Sequence, residues 1–99
     1  MRSLPVAYFE IQDVWVAVIF LDGEFAAMSP DRQQKDHEAL RQCASRVGMR
    51  GSVVTMWKDA AGRKQFISEP AQRPFFESIR YDQLHAQQNR SIECGDVLG

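Results

Sequence analysis

Val14-Trp15-Val16-Ala17-Val18-Ile19-Phe20-Leu21, followed by Asp22-Gly23, is the stretch on which the fold turns. Every position from 14 to 21 is apolar and most are β-branched or aromatic, the composition of a strand covered on both faces. It reads as a central strand. Asp22-Gly23 supplies the positive φ angles of a two-residue turn, so Glu24 to Met28 is expected to return antiparallel. Val6 to Ile11 is also strand-like. Gln12-Asp13 lacks the glycine that a tight turn prefers, so this segment is either a separate strand or the first half of one long strand bent at a bulge.

A second segment follows the same plan. Val53 to Trp57 is strand-like, and Asp59-Ala60-Ala61-Gly62 has Asp and Gly at the positions that favour a type I turn closing a hairpin with a glycine bulge. Lys64 to Ser68 then returns. Pro70 and Pro74 prevent further pairing in a central strand, and Tyr81 to Gln88 reads as a short helix ended by Asn89. Ser91 to Cys94 reads as a last edge strand. Between the two segments, Ser29-Pro30-Asp31 is a helix start: a capping hydroxyl, a proline suited to the first turn and an acid at the positive end of the dipole. Leu40, Cys43, Ala44 and Val47 recur at helical spacing and Gly48 stops the helix. His37 forms the wet end of that stripe, and Arg32 to Asp36 projects beyond the sheet. The expected fold is therefore α+β. It is a two-layer sandwich with an antiparallel sheet of four or five strands, two helices on one face, and a hairpin-helix unit occurring twice.

The 99 residues make one domain, 1–99, with the ends 1–4 and 95–99 flexible. Twelve Lys and Arg against 13 Asp and Glu give a net charge of −1, which excludes a global field drawing the chain to nucleic acid or an anionic membrane. Residues 58–80 carry a small local surplus of positive charge, read as a solvated hairpin face. The apolar run at 14–21 is far shorter than the ~20 residues that span a bilayer, and Glu10 and Asp13 precede it where a signal peptide carries basic residues. A cytoplasmic location is expected. Cys43 and Cys94 have no partner at metal-ligand spacing and read as reduced, small apolar residues, with a regulatory disulfide as the lesser alternative.

Candidate chemistry is sparse. Asp82 and Tyr81 stand three and four positions before His85, which puts all three on one helical face; the spacing is common, and His85 reads as a surface histidine. No catalytic residue, metal set or cofactor site is assigned. The aromatic residues are more informative. Trp57, Phe66, Phe75 and Phe76, with Arg73, Arg80 and Tyr81 fixing polarity, form the candidate ligand-binding set, although large rings facing small side chains are also ordinary core packing.

Trp57 to Ile67, Pro74-Phe75-Phe76-Glu77-Ser78-Ile79 and Tyr81-Asp82-Gln83-Leu84 resemble uncharacterised bacterial proteins carried on mobile integron gene cassettes, over residues 14–94. The resemblance implies a bacterial, cytosolic, accessory protein and carries no catalytic residue with it. With helices expected on one face only, the other sheet face needs a partner, and a homodimer supplies it. The leading expectation is thus a non-enzymatic dimeric binding or interaction module for a small apolar or aromatic molecule. Its rivals are a small enzyme of the dimeric α+β barrel type acting on an aromatic substrate, and a toxin, antitoxin or nucleic-acid accessory protein. An enzyme requires His85, Tyr81 or His37 to line a cavity; a binding module requires only the rings.

Overall fold

The computed structural model describes residues 3–95. Five strands form a single sheet in the order β4-β3-β2-β1-β5. They are β1 (Ser3–Ile11), β2 (Val14–Phe20), β3 (Ser52–Lys58), β4 (Lys64–Ile67) and β5 (Arg90–Glu93). The apolar run does occupy the centre of the sheet. β2 is flanked by β1, antiparallel, and by β3, parallel, with Val18 opposite Ala7 on one side and Val54 on the other. The sheet is consequently mixed, which corrects the expectation of a wholly antiparallel one.

A helix replaces the first expected hairpin. Asp22 does not close a hairpin; its side chain accepts a hydrogen bond from the Glu24 N–H at 3.1 Å and caps a one-turn helix, α1 (Gly23–Ala26). With β1 and β3 already along both edges of β2, a strand from Glu24 to Met28 has no edge left to pair with. Phe25 of α1 instead drops fully buried onto Trp57, with ring centroids 4.7 Å apart and edge-on. The chain then returns through α2 (Pro30–Arg46), capped by the Ser29 hydroxyl accepting from the Arg32 N–H at 3.2 Å. It enters β3 in the same direction as β2. Of the two expected hairpin-helix units, only the second forms: β3 and β4 pair antiparallel across the Asp59 turn.

Gln12 and Asp13 close the β1-β2 hairpin with φ of 49° and 68°. Val6 to Ile11 is therefore a separate strand. Its start lies further back than expected, since Ser3 pairs with Glu93 and buried Leu4 with Ile92. Ser3 and Leu4, within the end expected to be flexible, are thus part of the sheet; positions 1, 2 and 96–99 lie outside the described residues.

Both faces of the sheet are covered. Val6, Ala17, Ile19, Val53 and Trp57 pack against α1 and the Leu40, Cys43, Ala44 stripe of α2. Ala7, Val16, Val18, Val54 and Met56 pack against Phe76 of α3 (Arg73–Ser78) and Leu84 of α4 (Tyr81–His85). The helices thus lie on opposite faces, not on one. Strict alternation along β1, β2 and β3 requires this, because each strand sends apolar side chains both ways. Cys43 and Cys94 are joined by a disulfide that ties α2 to the end of β5, which corrects their reading as free thiols. His37 is buried, as is Asp36, so this part of α2 rests on the sheet instead of projecting past it.

Candidate functional site

Parallel strands end on the same side of a sheet, and the crevice beyond their carboxyl ends is where α/β folds most often bind ligands. In this chain the crevice lies beyond Phe20 of β2 and Lys58 of β3. An open cleft of about 370 Å³ sits there, walled by Leu4 and Pro5 of β1, Phe20 to Gly23, Lys58, Tyr81 and His85. Three rings line up along it. Tyr81 stacks on His85 with centroids 5.6 Å apart and planes 18° from parallel, and Phe20 stands edge-on to both at 5.7 and 4.8 Å. The spacing of four between Tyr81 and His85 on α4 is what stacks them.

The polar groups around these rings are of complementary kinds. The Lys58 ammonium lies 4.8 Å from the centre of the Tyr81 ring and 3.4 Å from Asp82 Oδ1. Asp82 is largely exposed, so that ion pair is weak and leaves the cation available. Burial, and secondarily the charge of Asp82, raise the Tyr81 phenol above its ordinary value, so it remains a protonated donor at neutral pH. The Gln88 side-chain nitrogen lies 3.4 Å from His85 Nδ1. The cleft thus offers a cation, a phenolic donor, an imidazole and stacked ring surface. That combination suits a planar molecule bearing a negative group.

The sequence-based set of ligand residues is split by the sheet. Trp57 is buried on the α2 face against Phe25, away from the other rings. Phe76 is fully buried in the opposite core, with Phe66 at 6.1 Å and Phe75 at 5.0 Å. Arg73 lies 5.6 Å from the Phe66 ring centre and pairs with Glu77 at 2.9 Å. Arg80 is exposed, and its carbonyl accepts from the Leu84 N–H at the start of α4. Only Tyr81 of the set lines the strand-end cleft, although Phe75 borders another pocket. The cleft also uses Phe20, Lys58 and His85. Spacing brought His85 and Tyr81 together, but their joining with Phe20 and Lys58 depends on the β2-β3 parallel pairing, for which the Asp22-Gly23 reading supplied no signal.

His37 meets a different fate. Its Nδ1 lies 2.8 Å from the Thr55 hydroxyl in the interior, and burial lowers its pKa below the usual histidine value. Among the described residues no group of three or more His, Cys, Asp or Glu side chains is placed to hold a metal ion, and no helix is long and apolar enough to cross a membrane. No protein-family model, curated protein or solved structure matches the chain.

Proposed function

We propose that the chain is a small-molecule binding module whose principal site is the strand-end cleft, and that its ligand is a planar aromatic compound carrying an anionic group. One observation carries this reading: Tyr81, His85, Phe20 and Lys58 converge where the parallel strands end. Ring stacking and desolvation would hold the planar part, with the ammonium and the phenol orienting the charge. The test is NMR titration of the labelled chain with aromatic carboxylates. Saturable shifts at Gly23, Lys58, Tyr81 and His85, lost in Lys58→Ala, are expected; no saturable shift at these residues overturns the reading.

An enzyme is the second reading, and a specific observation favours it. His85 and Tyr81 both line a cavity, the condition set for catalysis on an aromatic substrate. Proton transfer by this pair would be lost in His85→Gln and Tyr81→Phe while ligand binding persists. A nucleic-acid role has less support, because the net charge is −1 and most of the positive residues from Lys58 to Arg80 have acidic or carbonyl neighbours, the weak Lys58 pair among them. Arg63 pairs with Asp59, Arg73 with Glu77 and Lys58 with Asp82, while Lys64 donates to the carbonyls of Glu77 and Ile79.

Homodimerisation is retained in a different form. An uncovered sheet face no longer argues for it, and the four-residue edge strands β4 and β5 are too short to invite pairing; what supports it is exposed Val14, Trp15, Val47 and Phe75. Light scattering at micromolar concentration decides it, with a mass near 11.3 kDa counting against the dimer. A bacterial accessory role rests on the integron-cassette resemblance. A cytoplasmic location fits the dithiol form of Cys43 and Cys94, whereas the disulfide form fits an oxidising compartment.

A further inference from the structure

Two of the large apolar side chains that are exposed, Val14 at 43% and Phe75 at 37%, border one pocket of about 410 Å³ at the opposite end of the sheet from the cleft. The β1-β2 turn forms one side of it. The other side is the single 3-10 turn Pro70–Gln72 and the start of α3. Ile11, Ala71 and Pro74 complete apolar walls, and Phe75 is backed by Phe9 at 6.3 Å and Phe76 at 5.0 Å, so its ring is held while one side remains open.

The polar side chains at this pocket are Glu69, Gln12 and Gln72; the carboxylate only accepts, and the two carboxamides can accept or donate. Glu69 lines it; one carboxylate oxygen accepts from the Ser52 hydroxyl at 3.0 Å, which holds the group and leaves the other oxygen to accept from a ligand. Gln72 also lines it, and its amide oxygen is buried with no hydrogen-bond partner, an arrangement that is costly unless something supplies a donor. Among the described residues, Glu69 is the only charged one in the lining. An apolar pocket with an open aromatic ring, one carboxylate and an unsatisfied acceptor is complementary to a hydrophobic cation.

We propose that this pocket, formed by the β1-β2 turn and the Pro70–Phe75 segment, is a second binding site that takes a small hydrophobic amine. The ammonium sits against Glu69 and the Gln72 carboxamide, and the apolar body lies against Phe75, Val14 and Ile11. The site is independent of the strand-end cleft and of what binds there.

The test uses three probes with the same ring and similar chains: 2-phenylethylamine, protonated at pH 7, the neutral 2-phenylethanol, and the anionic 3-phenylpropanoate. Titrated into the isotope-labelled full chain, the amine should produce saturable NMR shifts at Gln12, Val14, Gln72 and Phe75. The propanoate should bind there at least tenfold more weakly. Glu69→Gln should reduce the amine to the level of the alcohol, and Phe75→Ala should remove binding; Phe75→Leu, which keeps the bulk, checks that any loss is not unfolding. Equal shifts from amine and propanoate, no saturation at millimolar amine, or amine shifts confined to Tyr81 and His85 would each overturn the proposal. So would concentration-dependent shifts of Val14 and Phe75 without a probe, which assign the pocket to a second copy of the chain.

Discussion

A Cβ placed on Gly51 would overlap the carbonyl oxygen of Trp15. Gly51 immediately precedes β3, whose first residue, Ser52, pairs with Val16, so the backbones of the crossover and the central strand meet here with no room for a side chain. Its φ of 87° adds a second demand for glycine. Gly51→Ala is therefore expected to cost about 3 kcal/mol or more, from backbone strain plus displacement of a strand. Gly62 provides the control: its φ is 79° but nothing lies within 4 Å of the added carbon, so Gly62→Ala should cost only about 1 kcal/mol. Denaturant midpoints of the two variants measure the difference, and equal midpoints would refute the close approach.

The β1-β2 turn stores strain that substitution can remove. Gln12 and Asp13 both adopt positive φ, a conformation that two-residue hairpins ordinarily reserve for Asn-Gly. Replacing Gln12-Asp13 by Asn-Gly should stabilise the fold by about 1 kcal/mol, read as a higher thermal midpoint. A lower midpoint would mean that the present side chains make contacts worth more than the strain.

Most of the strands and the long helix were legible in the chain, and the reason is local. Val14 to Leu21 is apolar throughout, Ser29-Pro30 caps α2, Gly48 ends it at φ 87°, and Asp59 holds its turn by accepting from the Ala61 and Arg63 N–H groups at 2.9 Å. What misled was Asp22-Gly23. The dipeptide serves equally as a hairpin turn and as a helix start, and the choice between them is made by β3, distant in sequence, which occupies the edge of β2 that a returning strand would need. From that one choice follow the parallel pair, the helices on both faces and the strand-end cleft. The disulfide was equally illegible, since the approach of Cys43 and Cys94 requires β5 to lie at the far edge beside β1.

The disulfide closes a loop across a sequence separation of 51 residues and holds the short β5 to α2. Reduction, or Cys94→Ser, should lower stability by about 2–4 kcal/mol. Amide exchange should accelerate first at Arg90–Glu93. Thiol titration of the unfolded, unreduced protein should find no free cysteine; two titratable thiols would show that the chain carries the dithiol form.

Asp59 gives the hairpin an acid limit. The backbone N–H of Arg63 is the main reason its carboxyl is held below the ordinary value of 3.8, with the Gln65 side chain and the Ala61 N–H assisting. Because the folded value is the lower one, the contribution is present above pH ~4 and is lost as pH falls below that. An NMR titration of the Asp59 carboxyl should place its midpoint below that of an exposed reference aspartate, and Asp59→Asn should remove the acid-dependent part of the hairpin's stability.

His37 acts in a separate, higher window. Its imidazole is buried between α2 and the sheet, with Nδ1 against the Thr55 hydroxyl, and desolvation lowers its pKa below the ordinary 6.5. The neighbouring charges oppose each other, Glu38 favouring the protonated form and Arg41 disfavouring it, while Glu69 lies across the same groove. With the folded pKa below the unfolded one, the unfolded chain binds more protons between the two values, so stability is full above pH 6.5 and declines as pH falls toward the folded value. Denaturant midpoints between pH 5 and 7 should therefore rise with pH in the parent protein. They should be nearly flat in His37→Gln, even if that variant is less stable throughout. A slope that persists unchanged in the variant would assign this pH dependence to another group and leave His37 as packing alone.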